Sequence, residues 1–385
     1  MGRAGRLVGL TRRSGVALVL ALAVACQPAS EPAVRRPPAP VGSPPRTALT
    51  PVGEESTAAT WRRLPDVPGP RRDRPVVQRV GGSVLVLGGT RPMHCPHGGY
   101  CAYPGLARGG AVLDLVTRTW RRMAAPPASI EGAVPPAGTP GGLLVVLGDR
   151  IPERLSAYDV RTDTWTRLPQ PSPRLMGGEE SLTVTRRHVY VVPEEPTRAE
   201  PVIQRLDLRS RRWTSLPRST RRPRLALRRI FVTSSGPVVV GAAYDPATRS
   251  HTRARAEVLV GGGWRRLRAP GFEASGWEWH WTGRRLVAPF VGAQPRRGLT
   301  LDPATGRWGS FRHPAYEGGL RWSIGPAASG DLVFTDGTVY DDRDGGWSPV
   351  ALPWRGARRG GSAVWVGRRL LVVDRHSHAW LSRPF

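Results

Sequence analysis

The chain has 385 residues, 39% of them apolar, with 46 Gly, 40 Pro and a formal net charge of +28. That is enough apolar material for one large β domain or two smaller ones, and too much for a chain disordered throughout. All 57 basic residues are Arg, with no Lys or Asn, and they are spread over the whole length, which excludes the clustered, aromatic-interleaved stripe of a nucleic-acid binder.

Arg accumulation of this kind is what a GC-rich genome places on solvated faces. Attraction to an anionic cell-wall polymer or lipid surface is the lesser reading. Residues 1–25 read as a targeting segment. Arg3, Arg6, Arg12 and Arg13 form a positive start, and Val16 to Ala25 form an apolar run of signal-peptide length. The run ends in Ala23-Val-Ala-Cys26. It resembles a bacterial lipoprotein signal, which implies lipidation of Cys26 and an extracytoplasmic, membrane-anchored protein, with simple secretion as the alternative. Residues 26–57 are Pro-rich, cannot bury apolar area, and read as a semi-extended tether. No later stretch is long and apolar enough to span a bilayer.

From residue 58 to 385 the chain repeats one unit. Each unit opens with two short apolar strands around a tight turn. The hairpins are Val76–Val80 with Val84–Leu87, then Val134 with Leu143–Leu147 across Gly138 to Gly142, then Leu182–Val184 with His188–Val192. Ile230–Val232 with Val238–Val240, Trp277–Trp281 with Leu286–Phe290, Leu320–Ile324 with Leu332–Phe334, and Ala363–Val366 with Leu370–Val373 complete the seven. A third strand follows, and then an Asp six positions before a Trp. The pairs are Asp114/Trp120, Asp159/Trp165, Asp207/Trp213, Asp302/Trp308, Asp341/Trp347 and Asp374/Trp380; Trp264 has no such Asp, and Trp61 has no hairpin before it.

Four-stranded units at about 40–50 residues predict a β-propeller. The sequence therefore predicts an all-β, seven-bladed β-propeller. The seventh unit has room for three strands only, so Trp61-Arg-Arg-Leu-Pro65 should supply its outer edge and close the ring. Asp at the head of the turn should accept backbone N–H bonds, and Gly306 should supply positive φ. Each repeated Trp should bury ~200 Å² between blades.

Gly88-Gly89 after the second strand, the Asp-headed turn, and Trp followed by Leu-Pro together resemble kelch repeats over about 58 to 385. Only the first unit keeps the Gly-Gly pair. Some kelch propellers are copper-radical oxidases similar to galactose oxidase, which implies a Tyr–Cys crosslink, two His ligands and a further domain. An adjacent Tyr-His pair is not present here.

Tight turns join strands 1 to 2 and 3 to 4, so the longer and more varied connections should share the opposite face, where binding residues concentrate. The longest, in blade 1, runs through His94, Cys95, His97, Tyr100 and Cys101. In an exported chain with Cys26 lipidated, a Cys95–Cys101 disulfide is the default; a Cys/His metal site is the lesser reading. Trp277, Trp279 and Trp281 could stack on sugar rings near the channel, or pack between blades with Glu278 and His280 turned to the channel. Glu179, Glu180, Arg228, Arg229, Arg321, Arg358 and Arg359 complete a charged rim. The expected role is a monomeric, non-catalytic binder of a protein or carbohydrate on the loop face, without cofactor or metal. The alternative is a propeller enzyme, of the galactose oxidase or carbohydrate-active type.

Overall fold

The computed structural model describes residues 61–91, 106–127, 130, 137–147, 155–171, 181–192, 202–218, 225–245, 250–270, 279–289, 297–312, 327–335, 337–354 and 361–385, all within the compact unit Gly53–Phe385. They form seven four-stranded antiparallel sheets arranged as a seven-bladed β-propeller, with no helix among the described residues. Blade 1 runs from its innermost strand Val76–Val80 through Ser83–Leu87 and Gly110–Asp114 to Trp120–Arg122. Blades 2 to 6 follow the same order and end on Thr164–Arg167, Arg212–Ser215, Gly263–Arg266, Arg307–Arg312 and Gly346–Pro349.

Blade 7 contains Gly361–Val366, Arg369–Asp374 and Ala379–Ser382, and its outermost strand is Trp61–Arg63 from the other end of the chain. Trp61 pairs with Ser382 and Arg63 with Trp380. The expected closure is therefore present. Leu64 and Val67 extend it by donating backbone N–H bonds to the carbonyls of Ala379 and Ser377.

The core is divided among the blade interfaces. Period-two alternation sends Val84 and Val86 toward blade 7, where they meet Leu371 and Val373, and sends Leu85 and Leu87 toward blade 2, where they meet Leu144 and Tyr158. Middle strands are thus apolar on both faces, and Ser83–Leu87 is buried at every position. Seven apolar clusters fill the seven interfaces.

The Asp-to-Trp spacing has two parts. Asp114 accepts N–H bonds from Val116 and Thr117 at 2.8 and 2.9 Å, and Asp207 accepts from Arg209 and Ser210 at 3.0 and 2.8 Å. The fifth residue of each such turn is left-handed: Arg118, Asp163, Arg211, Gly306 and Gly345 have φ of 58°, 54°, 58°, 70° and 72°. Blade 4 needs no Asp, because its outer turn is the two-residue Gly261-Gly262, with φ of 59° and 80°, between paired Val260 and Gly263.

The Trp half is a latch. In six of the seven blades the indole Nε1 donates to the carbonyl four residues beyond the preceding blade's Trp. Trp120 bonds Pro65, Trp165 bonds Ala124, Trp213 bonds Pro169 and Trp264 bonds Pro217 at 2.7–3.0 Å, and Trp308 bonds Arg268. Trp61 bonds Ala351 at 2.5 Å and so carries the series across the closure. These indoles are half-buried, apart from Trp61 at 8% exposed. They bury less than full inter-blade wedges would, because Nε1 must reach a carbonyl at the rim.

Blade 7 has the three strands expected of it: Asp374 and Trp380 share the six-residue spacing but span its second and third strands, on the opposite face from the other pairs. Two expectations need correction. Blade 2 starts at Ala137–Gly138, so Gly138 is in the strand and the turn is Thr139 to Gly142. Blade 6 starts at Ala327–Ser329, since the two-residue turn Gly330-Asp331 gives Leu332 the partner Ser329; residues 320–324 lie outside the described residues.

Candidate functional site

Strand direction sorts the connections into two faces. On one face lie the turns joining strands 1 to 2 and 3 to 4, all short. The other carries the second-to-third connections and the blade-to-blade connections. The second-to-third connection spans 88–109 in blade 1, 148–154 in blade 2, 193–203 in blade 3 and 289–296 in blade 5. It is short in blades 4 and 7, and Thr335 pairs with Thr338 in blade 6. The loop face is thus uneven, with length concentrated in four blades.

The described part of this face is best formed where blade 7 meets blade 1. Arg72, on the segment crossing between them, is 2% exposed. Its Nη1 donates to the carbonyls of Gly88 and Ala107 at 3.1 and 3.3 Å, and its Nη2 donates to the carbonyl of Arg108 at 3.2 Å. Burial pulls the guanidinium below its ordinary pKa. The same base is stitched by reciprocal backbone bonds between Asp73 and Thr90 and a bridge from Thr90 to Leu106. One buried cation therefore clamps both ends of the long blade-1 loop.

Beside it is the turn after Asp374, a carboxylate with no exposed surface. Asp374 Oδ1 accepts the backbone N–H groups of His376 and His378 at 2.8 and 2.9 Å. Its Oδ2 lies 3.2 Å from His378 Nδ1. The His378 side chain is 31% exposed and meets Trp380 edge-on with ring centroids 5.6 Å apart. His376 lies 6.0 Å away, centroid to centroid. A buried carboxylate fixing one ring nitrogen orients the imidazole and directs Nε2 away from it, the arrangement that serves a proton carrier or a ligand-binding His. Sequence reading set Asp374 at the end of the second strand of blade 7 without pairing it with a His. The distinguishing signal was the His at 376 and 378, found in no other turn.

Toward the channel, Trp279 is 5% exposed and packs in the blade 4–5 cluster, edge-on to Trp308 at 5.9 Å. Trp281 packs against the same cluster. For these two rings the geometry is that of inter-blade packing. His280 points the other way, in register with Val287. The residue is half-buried, yet its Nε2 has no accessible surface and no hydrogen-bond partner among the described residues. Burial first, and then the charge of Arg229, push its pKa down to about 4, so the ring is neutral at pH 7. Arg228 on the innermost strand of blade 4 is 8% exposed.

Cys26, His94, Cys95, His97, Tyr100, Cys101, Glu179, Glu180, Trp277, Glu278, Arg321, Arg358 and Arg359 lie outside the described residues. Among the described residues no group of three or more His, Cys, Asp or Glu is placed to hold a metal ion, and no helix is long and apolar enough to cross a membrane. No protein-family model matches this chain, and no curated protein matches it either.

Proposed function

We propose that this protein is a non-catalytic, extracytoplasmic binding or scaffold protein of kelch-like architecture, lipid-anchored through Cys26, that takes a protein or carbohydrate on its loop face. The asymmetry of the two faces carries this reading. On one face every turn is short; the other carries the long connections of blades 1, 2, 3 and 5, with the blade-1 loop clamped at its base by Arg72. Varied loops set on a closed β scaffold suit recognition. The direction of the closing strand agrees. Trp61 pairs with Ser382 near the tight-turn face, and the chain then runs toward Ser377 on the loop face. The described chain therefore enters the ring at Trp61 on the tight-turn side, opposite the loop face.

In this reading Cys95 and Cys101 form a disulfide that stiffens the blade-1 loop. The anchor is tested by fractionation of cells expressing Cys26→Ala, which should release the protein from membranes; undiminished membrane retention would refute it. The binding face is tested by replacing residues 92–105 with a short Gly-Ser linker and measuring capture of isolated cell-wall carbohydrate and of envelope proteins. Capture should be lost while the melting temperature holds, and unchanged capture would rule the loop out. The Asp374–His378 pair supports a second, enzymatic reading. One equivalent of copper bound to the purified protein, and lost on Cys101→Ser, would favour it over a disulfide-stiffened binder.

A further inference from the structure

The outermost strands of the seven blades collect a charge that the linear sequence hides. They read Trp61-Arg-Arg, Trp120-Arg-Arg, Thr164-Trp-Thr-Arg, Arg212-Trp-Thr-Ser, Gly263-Trp-Arg-Arg, Arg307-Trp-Gly-Ser-Phe-Arg and Gly346-Trp-Ser-Pro. Ten Arg stand on these strands, and not one Asp or Glu. The whole chain has 57 basic and 29 acidic residues, so compositional drift alone would set about five carboxylates beside ten Arg. Guarding a free strand edge against aggregation can be done by charge of either sign. The carboxylates are instead in the turns, occupied as caps.

Three of the ten have carboxylate partners: Arg63 with Asp66, Arg121 with Asp163 and Arg266 with Glu257. The other seven, Arg62, Arg122, Arg167, Arg212, Arg265, Arg307 and Arg312, are exposed and make no ion pair among the described residues. Blades 7, 1, 2, 3, 4 and 5 are consecutive round the ring, so these side chains form a girdle broken only at blade 6. The girdle offers fork-shaped donors at repeated intervals. Its aromatic residues are poor stacking platforms, because the Trp rings are buried or half-buried and six of the seven Nε1 groups are engaged as latches. That removes the feature that single-stranded nucleic acid requires, and a duplex would have to be bent, at a cost of several kcal/mol, to follow a curved rim.

We propose that the outer rim is a second binding surface, for a flexible linear anionic polysaccharide carrying carboxylate or phosphate groups along its length. It is independent of the loop face and of the anchor, so its failure would leave both untouched.

The test uses the purified full-length protein in detergent, with polygalacturonate, poly(glycerol phosphate) teichoic acid and oligo(dT) as probes across a salt series. Wild type should bind one or both polysaccharides with affinity that falls steeply with salt. Arg62→Ser, Arg122→Ser, Arg212→Ser and Arg265→Ser combined should weaken binding at least tenfold and lower the slope of log K against log salt by about 3, since each lost contact removes roughly 0.7. The control changes Arg118, Arg186, Arg209 and Arg284 of the tight turns to Ser, the same change in net charge. It should leave binding within about twofold. If the fourfold rim variant does not melt cooperatively, Arg62→Ser with Arg265→Ser should show half the shift. Absence of binding, equal loss in rim and turn variants, or tighter binding of oligo(dT) than of either polysaccharide would each overturn the proposal; the relative affinity of the two polysaccharides reports whether phosphate or carboxylate is the preferred group.

Discussion

At the scale of the residue, the repeated Asp is a cap and the fifth turn position is a strained one. Left-handed backbone costs a non-glycine residue about 1 kcal/mol. Arg211→Gly, at φ 58°, should therefore change stability by no more than ~0.5 kcal/mol, because the relief of strain is offset by the entropy Gly loses and by loss of the Arg211 bond to the Arg167 carbonyl. Gly306→Ala, at φ 70° and 3.4 Å from Leu267 Cδ2, should cost ~1 kcal/mol or more; urea denaturation reads both. The caps also govern acid stability. The Ser210 N–H, followed by the Arg187 guanidinium, holds the Asp207 carboxyl far below the carboxylate range. A depressed pKa gives stability present above the unfolded value and lost as pH falls. The melting-temperature deficit of Asp207→Ala should be full at pH 7 and narrow below about pH 4. His280 titrates in a different window. Its folded pKa near 4 lies below the ordinary 6.5, so the unfolded chain takes the proton first. Stability should decline between pH 6.5 and 4, by on the order of 2 kcal/mol, and His280→Gln should flatten the decline.

At the scale of the element, the outermost strand does two jobs, and the sequence showed only one of them. Trp-x-x-Leu-Pro was legible as a strand with an aromatic anchor. That the indole is tied to a carbonyl of the preceding blade needed the neighbouring sheet in place. Trp213→Phe should cost ~1 kcal/mol, the value of one net hydrogen bond, while Trp213→Ala should cost ~3 kcal/mol by also opening the blade 2–3 cluster; the Phe variant reports the latch and the difference between the two reports the packing. The inner strands of blades 2 and 6 were misread because a short apolar run suits either a strand or the connection before it. Only pairing decides which.

At the scale of the whole molecule, closure converts seven locally similar units into one ring. Deleting Trp61–Val67 leaves Ala379–Ser382 as an open edge and uncovers the blade 7–1 and blade 6–7 clusters, so the deletant should melt far lower and aggregate. Ser382 and Trp61 are paired neighbours on the tight-turn face. Appending residues 61–67 after Phe385 through a short hairpin linker should therefore restore a melting temperature within a few degrees of wild type. Failure of that permutant, with the deletant soluble and stable, would show that closure is not what holds the ring. The same geometry gathers scattered Arg into a girdle and places Asp374 on the loop face although its spacing matches the outer turns.

What the sequence determined by itself was everything of short range: strand alternation, capped turns, the repeat length, and a last unit one strand short of four. These depend on residues a few positions apart, so they can be read along the chain. Tertiary structure decided which carbonyl each indole reaches, which Arg share the rim, and that His378 is held by a buried carboxylate. Those pairings join residues brought together by blade-to-blade packing and, at the closure, by the two ends of the ring, where no local spacing records them.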